Sequence, residues 1–86
     1  MSFVYMIHDQ NNRLYVGVSD NPERRLRDHN RKAGATFTHE GGFRIVFLEK
    51  YNTLKDARSR EVQIKKWRRE KKETLISRYV EGLETK

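Results

Sequence analysis

The sequence predicts a small α/β (α+β) domain, a three-stranded, mainly antiparallel sheet flanked by helices in the order β-β-α-β-α-α. Three observations carry that prediction. Two β-branched and aromatic runs, Phe3-Val4-Tyr5-Met6-Ile7 and Leu14-Tyr15-Val16-Gly17-Val18, flank the turn-forming Asp9-Gln10-Asn11-Asn12. A third apolar run, from Phe43 to Tyr51, follows a loop bracketed by Lys32-Ala33-Gly34-Ala35 and Glu40-Gly41-Gly42. Helix-start signals precede two further stretches of helix-forming residues.

The first two runs read as a β-hairpin. Gly17 is out of place there, because glycine weakens a strand unless a bulge or the close approach of another group requires it, and it suggests a ligand or backbone near Tyr15. Asn21 before Pro22 reads as an N-cap followed by proline at the first helical position, opening a short, very basic helix over Glu23-Arg24-Arg25-Leu26-Arg27-Asp28-His29. Phe43 to Tyr51 is apolar enough for a third strand, central or half-covered. Thr53 with Asp56 three residues later resembles a capping box, and a helical pattern runs from there to about Arg69. A last amphipathic piece carries Leu75, Ile76, Tyr79, Val80 and Leu83, separated from the preceding helix near Arg68 to Lys72.

Composition narrows the function. The 86 residues hold 19 Lys plus Arg against 12 Asp plus Glu, a net charge of +7 that points to a polyanionic partner. Residues 55–72 alone hold nine basic against three acidic side chains, so nearly all of the surplus lies on one helix and its exit. Arg58, Lys65, Lys66, Arg68, Arg69, Lys71 and Lys72, with Arg24 on the short helix, are the candidate nucleic-acid contacts, since each neutralised phosphate releases counterions. A solvated helix surface is the plain alternative for the same charges. With no cysteine, a disulfide framework and thiolate metal sites are excluded, as fits a reducing cytoplasm. No stretch approaches the roughly 20 apolar residues of a membrane span, and no secretory leader is evident, so a soluble, unprocessed cytoplasmic chain is expected. Residues 1–86 suffice for one domain with a small core.

Five residue types break the bland pattern. On a helical wheel Leu54, Ala57, Ile64 and Trp67 share one face, and Glu61 falls inside that arc. A carboxylate there must be paired, protonated, exposed at a cleft edge or bound to a cation; an ion pair with an arginine such as Arg25 is the simplest reading. Arg25 and His29 share a face at i, i+4, one offering a fork for phosphate and the other a proton carrier near neutral pH. Tyr5 and Tyr15 lie on neighbouring strands, where tyrosines usually serve in packing. Trp67 could stack on a base, but its place on the apolar face favours the core.

In order and spacing, Phe3-Val4-Tyr5, Tyr15-Val16-Gly17, Glu23 to His29 and Glu61 within Arg60-Glu61-Val62-Gln63-Ile64-Lys65 resemble the GIY-YIG endonuclease family. The similarity runs from about Phe3 to Ile76, with Ala35-Thr36-Phe37-Thr38 and Phe47-Leu48-Glu49 in the expected places. It is nearest to the small single-domain bacterial branch related to the N-terminal nuclease domain of the excision-repair incision protein. The resemblance implies a metal-dependent endonuclease that hydrolyses phosphodiester bonds in DNA, with RNA as a possible substrate. Its catalytic residues carry over to Tyr5, Tyr15, Arg25 and Glu61, with His29 at a position where the family often has histidine. Glu61 would hold one divalent cation, Mg²⁺ or Mn²⁺; Arg25 would neutralise charge on the phosphate; and a tyrosine would orient or deprotonate the attacking water. Three departures stand out. Phe3 replaces the first motif glycine, Val4 and Val16 replace the isoleucines, and Lys71 or Lys72 occupies the region where many members place an asparagine.

The resemblance imposes a geometric condition. For Tyr5 and Tyr15 to share one sheet face, odd residues must pair with odd ones, so the hairpin loop must have an odd length or contain a bulge. A regular two-residue Asn11-Asn12 turn would separate them. Two other functions compete with catalysis: a non-catalytic DNA- or RNA-binding module of nuclease descent, and a protein-interaction adaptor. Nothing in the residues looks built for base-edge readout, so structure-selective or weakly sequence-selective action is expected. A protein partner that delivers the substrate and the oligomeric state are both open.

Overall fold

The computed structural model describes residues 1–9, 11–32 and 43–85, apart from the side chains of His29 and Lys32. Strand β1 spans Ser2–His8, β2 Leu14–Ser19 and β3 Arg44–Tyr51; helix α1 spans Pro22–Lys32, α2 Leu54–Lys65 and α3 Arg69–Val80. The order is the expected β-β-α-β-α-α. The three strands form one antiparallel sheet in the order β2-β1-β3. The expected glycine-bracketed loop and Ala35-Thr36-Phe37-Thr38 lie outside the described residues.

β1 takes the centre of the sheet and β3 a half-covered edge. The reason is apolar content on both faces: Val4, Tyr5, Met6 and Ile7 are all buried, whereas β3 alternates buried Phe47 and Glu49 with more accessible neighbours. Val4, Met6 and Phe47 meet Ala57, Ile64 and Leu75 of α2 and α3 in the core. A register shift in β3 opposite Met6 and Ile7 brings Val46 as well as Phe47 against this core.

Capping places the helices where the sequence signals them. The Asn21 side chain accepts from the Arg24 N–H at 3.2 Å and Pro22 begins α1. Asn30 anchors the far end of α1, exchanging hydrogen bonds with the backbone N–H and carbonyl of Phe43. Thr53 caps α2 by accepting from the Asp56 N–H. That helix ends at Lys65, earlier than expected, and the break falls at residues 66–68, just N-terminal to most of the expected interval. Trp67 still packs against the core, its ring flanked by Arg60 and by the Lys71 ammonium 4.2 Å from its centroid. Leu54, expected on the buried face, is 49% exposed, because it opens the first turn of α2 beyond the packed segment.

α3 closes with Gly82 at φ +78, where the Leu83 N–H reaches the Arg78 carbonyl at 2.8 Å and the Gly82 N–H reaches that of Tyr79 at 3.1 Å. The reversal carries Thr85 back to Glu49. The buried Glu49 carboxylate accepts from Arg60 Nε (3.0 Å), the Tyr51 hydroxyl (2.8 Å) and the Thr85 hydroxyl (2.6 Å), while an Arg60 terminal nitrogen donates to the Thr85 carbonyl. Burial, then the hydrogen bond to Glu49 and its charge, push the Tyr51 phenol up to about 12.

Candidate nucleic-acid cleavage site

The hairpin meets the geometric condition. Tyr5 pairs with Gly17 and Ile7 with Tyr15, so odd residues face odd ones and both tyrosines project from the same side of the sheet. The loop is residues 9–13, an odd length held by the Asp9 side chain, which accepts from the backbone N–H groups of Asn11 and Arg13 and from the Arg13 guanidinium, each at 2.9 Å. Desolvation pushes the Asp9 carboxyl up, but these donors outweigh it and hold it below the usual carboxylate range. Asn12 supplies the left-handed residue of the turn at φ 65.

Gly17 has a specific structural reason. A Cβ built there would lie 2.6 Å from Cζ of Tyr5. The group that approaches the strand is thus the ring of its own cross-strand partner, not the expected ligand or backbone near Tyr15, because the Tyr5 side chain lies across the strand at this register. Tyr5 is 3% exposed and clamped by this contact, while Tyr15 is 38% exposed and meets Phe43 edge-on at 5.4 Å between centroids.

A cleft of about 390 Å³ is lined by Tyr5 of β1, by Tyr15 and Gly17 of β2, by Arg25 of α1, and by Arg58, Glu61 and Lys65 of α2. Helix geometry explains the contribution of α2. With Ala57 and Ile64 in the core, a rotation of about 100° per residue sets Glu61 at the flank of the buried arc, with Arg58 and Lys65 further round the same side. Arg60 turns to the opposite flank, where it meets Glu49. Glu61, with its side chain 15% exposed, pairs with Lys65 at 3.2 Å, not with Arg25. The expected arginine pair gives way because an i, i+4 neighbour on the same helix is already within reach.

Of the residues expected to act together, Tyr5, Tyr15, Arg25 and Glu61 converge on this cleft. His29 lies in α1, with its side chain outside the described residues. The basic stripe divides. Arg58 and Lys65 line the cleft; Arg69 donates to the Asn12 carbonyl at 2.5 Å, and Lys71 lies over Trp67. Lys66 and Arg68 occupy the α2–α3 junction, Lys72 lies within α3, and Arg24 is exposed on α1. Sequence reading did not single out Lys65 as the partner of Glu61, although the four-residue spacing carried the signal.

A Mg²⁺ or Mn²⁺ ion seeks hard oxygen donors and keeps several waters. The cleft offers one carboxylate and two phenolic oxygens, and no group of three or more His, Cys, Asp or Glu comes together among the described residues. This donor set fits an ion held by a single protein carboxylate and completed by water and a phosphate, not an all-protein cage.

Residues 1–74 match the GIY-YIG catalytic domain. The chain belongs to the GIY-YIG family. Within it, the chain is similar to a UPF0213 protein of Clostridium perfringens, 37% identical over 78 residues that cover 90% of this chain and 84% of the relative. A UPF0213 protein of Haloquadratum walsbyi is 38% identical over 74 residues, covering 85% and 83%. The solution NMR structure of the UPF0213 protein BH0048 from Bacillus halodurans superimposes with a TM-score of 0.59 at 30% identity, covering 90% of this chain and 84% of that one. GIY-YIG membership supports a nuclease-type function on a nucleic-acid substrate. Among the described residues no helix is long and apolar enough to cross a membrane.

Proposed function

We propose that this GIY-YIG chain is a cytoplasmic, metal-dependent endonuclease, acting as one domain that hydrolyses phosphodiester bonds in DNA, with RNA a weaker candidate. The observation that carries the reading is the convergence of Tyr5, Tyr15, Arg25 and Glu61 from β1, β2, α1 and α2 on one cleft. Beside Val16 and Val18 its polar lining is charged and phenolic, suited to a sugar–phosphate backbone, so selection by nucleic-acid structure is the expected mode.

Arg25 and Arg58 bind the non-bridging oxygens of the scissile phosphate, and Arg25 stabilises the charge that grows on them as water adds to phosphorus. Tyr15, the more accessible phenol, orients the attacking water. Tyr5, clamped over Gly17, sets the position of the phosphate. Glu61 would hold the divalent cation, Mg²⁺ or Mn²⁺, which would supply a Lewis acid that polarises the phosphate and stabilises the departing oxygen.

The Glu61–Lys65 pair also suits a second reading, a cleft that holds nucleic acid without cutting it. Labelled single-stranded, duplex and branched DNA and RNA, incubated with Mg²⁺ or Mn²⁺, separate the two. The nuclease reading expects cuts that EDTA abolishes and that Glu61→Gln and Arg25→Ala reduce at least 100-fold while binding survives. Binding without cutting, or cutting that survives Glu61→Gln, overturns it.

A further inference from the structure

The ion pair inside the cleft is unequal. Lys65 Nζ lies 3.2 Å from Glu61 Oε2, yet the lysine side chain is 55% exposed and the glutamate 15%. The carboxylate is the fixed partner and the ammonium the movable one, a point charge on a flexible four-carbon stem. An i, i+4 pair this open to solvent is held weakly, so another cation can take the carboxylate from it. A divalent ion on Glu61 would then repel the ammonium beside it. The Lys65 backbone is fixed in the last turn of α2, so a displaced ammonium keeps the cleft within reach of its stem. Among the described residues, the cleft wall it would meet carries two more cations, Arg25 and Arg58, and Glu61 as its single acidic side chain. Once Glu61 is engaged, the anion within reach of Lys65 is the phosphate of the nucleic acid itself.

We propose that Lys65 is a two-position side chain: it pairs with Glu61 before a divalent cation binds and moves to a phosphate oxygen of the nucleic acid when the cation displaces it. It is a positioning residue, and it couples the two ligands. The cation frees Lys65 for the phosphate and the phosphate draws Lys65 from Glu61, so each raises the affinity for the other by the same factor. The inference rests on the nuclease reading for the identity of the ligands but not on turnover.

The test is a double-mutant cycle read by binding. Fluorescence anisotropy of a labelled single-stranded DNA oligonucleotide, in EDTA, compares wild type, Glu61→Gln, Lys65→Met and the double variant. Glu61→Gln frees Lys65, and it is expected to tighten DNA binding about fivefold more in the wild-type background than in the Lys65→Met background. In parallel, Mn²⁺ titrated without DNA and followed by electron paramagnetic resonance should bind Lys65→Met about fivefold more tightly than wild type, with Lys65→Arg returning toward wild type. An equal gain from Glu61→Gln in both backgrounds means a plain charge effect and overturns the proposal. So does an unchanged Mn²⁺ affinity in Lys65→Met. Failure of cleavage with the cycle intact would sink the nuclease reading alone; cleavage with an additive cycle would sink this inference alone.

Discussion

Tyr5 and Gly17 are cross-strand partners, and the ring of the tyrosine occupies the space where any side chain at Gly17 would stand. A Cβ there would lie 2.6 Å from Tyr5 Cζ, so Gly17→Ala must push the ring aside. Overpacking of this kind costs about 1–3 kcal/mol. A displacement near 1 Å at a catalytic group costs roughly 100-fold in rate. Gly17→Ala is expected to remain folded in urea titrations but to cleave at least tenfold more slowly than wild type. Unchanged cleavage would remove Tyr5 from the site.

Arg58 and Lys71 belong to the same basic run but face different partners. Arg58 opens into the cleft, whereas the Lys71 ammonium sits on Trp67. Arg58→Ala should weaken DNA binding and lower the slope of log K against log salt by about 1. Lys71→Ala should leave that slope unchanged. Equal slopes for the two variants would mean that the whole stripe binds nucleic acid.

The Glu49–Arg60 pair is buried, with side chains 3% and 13% exposed, and removing one partner leaves the other charge uncompensated. Glu49→Gln is expected to destabilise the fold by about 3–5 kcal/mol in urea unfolding. Thr85→Val, which removes one neutral donor to the same carboxylate, should cost less, about 1.5–3 kcal/mol. A loss below that for Glu49→Gln would show the network to be peripheral.

Tyr51 links this network to pH. Its folded-state pKa is raised from 10.0 to about 12, so the folded chain retains the phenolic proton where the unfolded chain loses it. The stabilisation is complete below pH 10.0 and is lost as pH rises from there to about 12. Thermal unfolding followed by circular dichroism should show wild type losing its advantage over Tyr51→Phe across that interval. A constant gap would contradict the hydrogen bond to Glu49.

Much of the architecture is written in short-range patterns. Asn21-Pro22 and Thr53 with Asp56 mark helix starts because their capping bonds span three residues. The apolar runs announce three strands, and the oddity of Gly17 announces a close approach, though not that the approaching group is the Tyr5 ring. The spacing of Tyr5, Tyr15, Arg25 and Glu61 was enough to mark the family.

The remaining features depend on contacts between distant segments. Burial of both faces suits β1 to the centre, but which strands pair along its two edges is decided by contacts between distant segments. The division of the basic stripe and the opposite roles of Glu61 and Arg60 follow from the rotation at which α2 packs. The return of Thr85 to Glu49 joins residues 36 positions apart through the Gly82 reversal. Local sequence selects a residue's conformation, but a charged side chain's partner is chosen by whichever group the packed elements bring within about 3 Å of it.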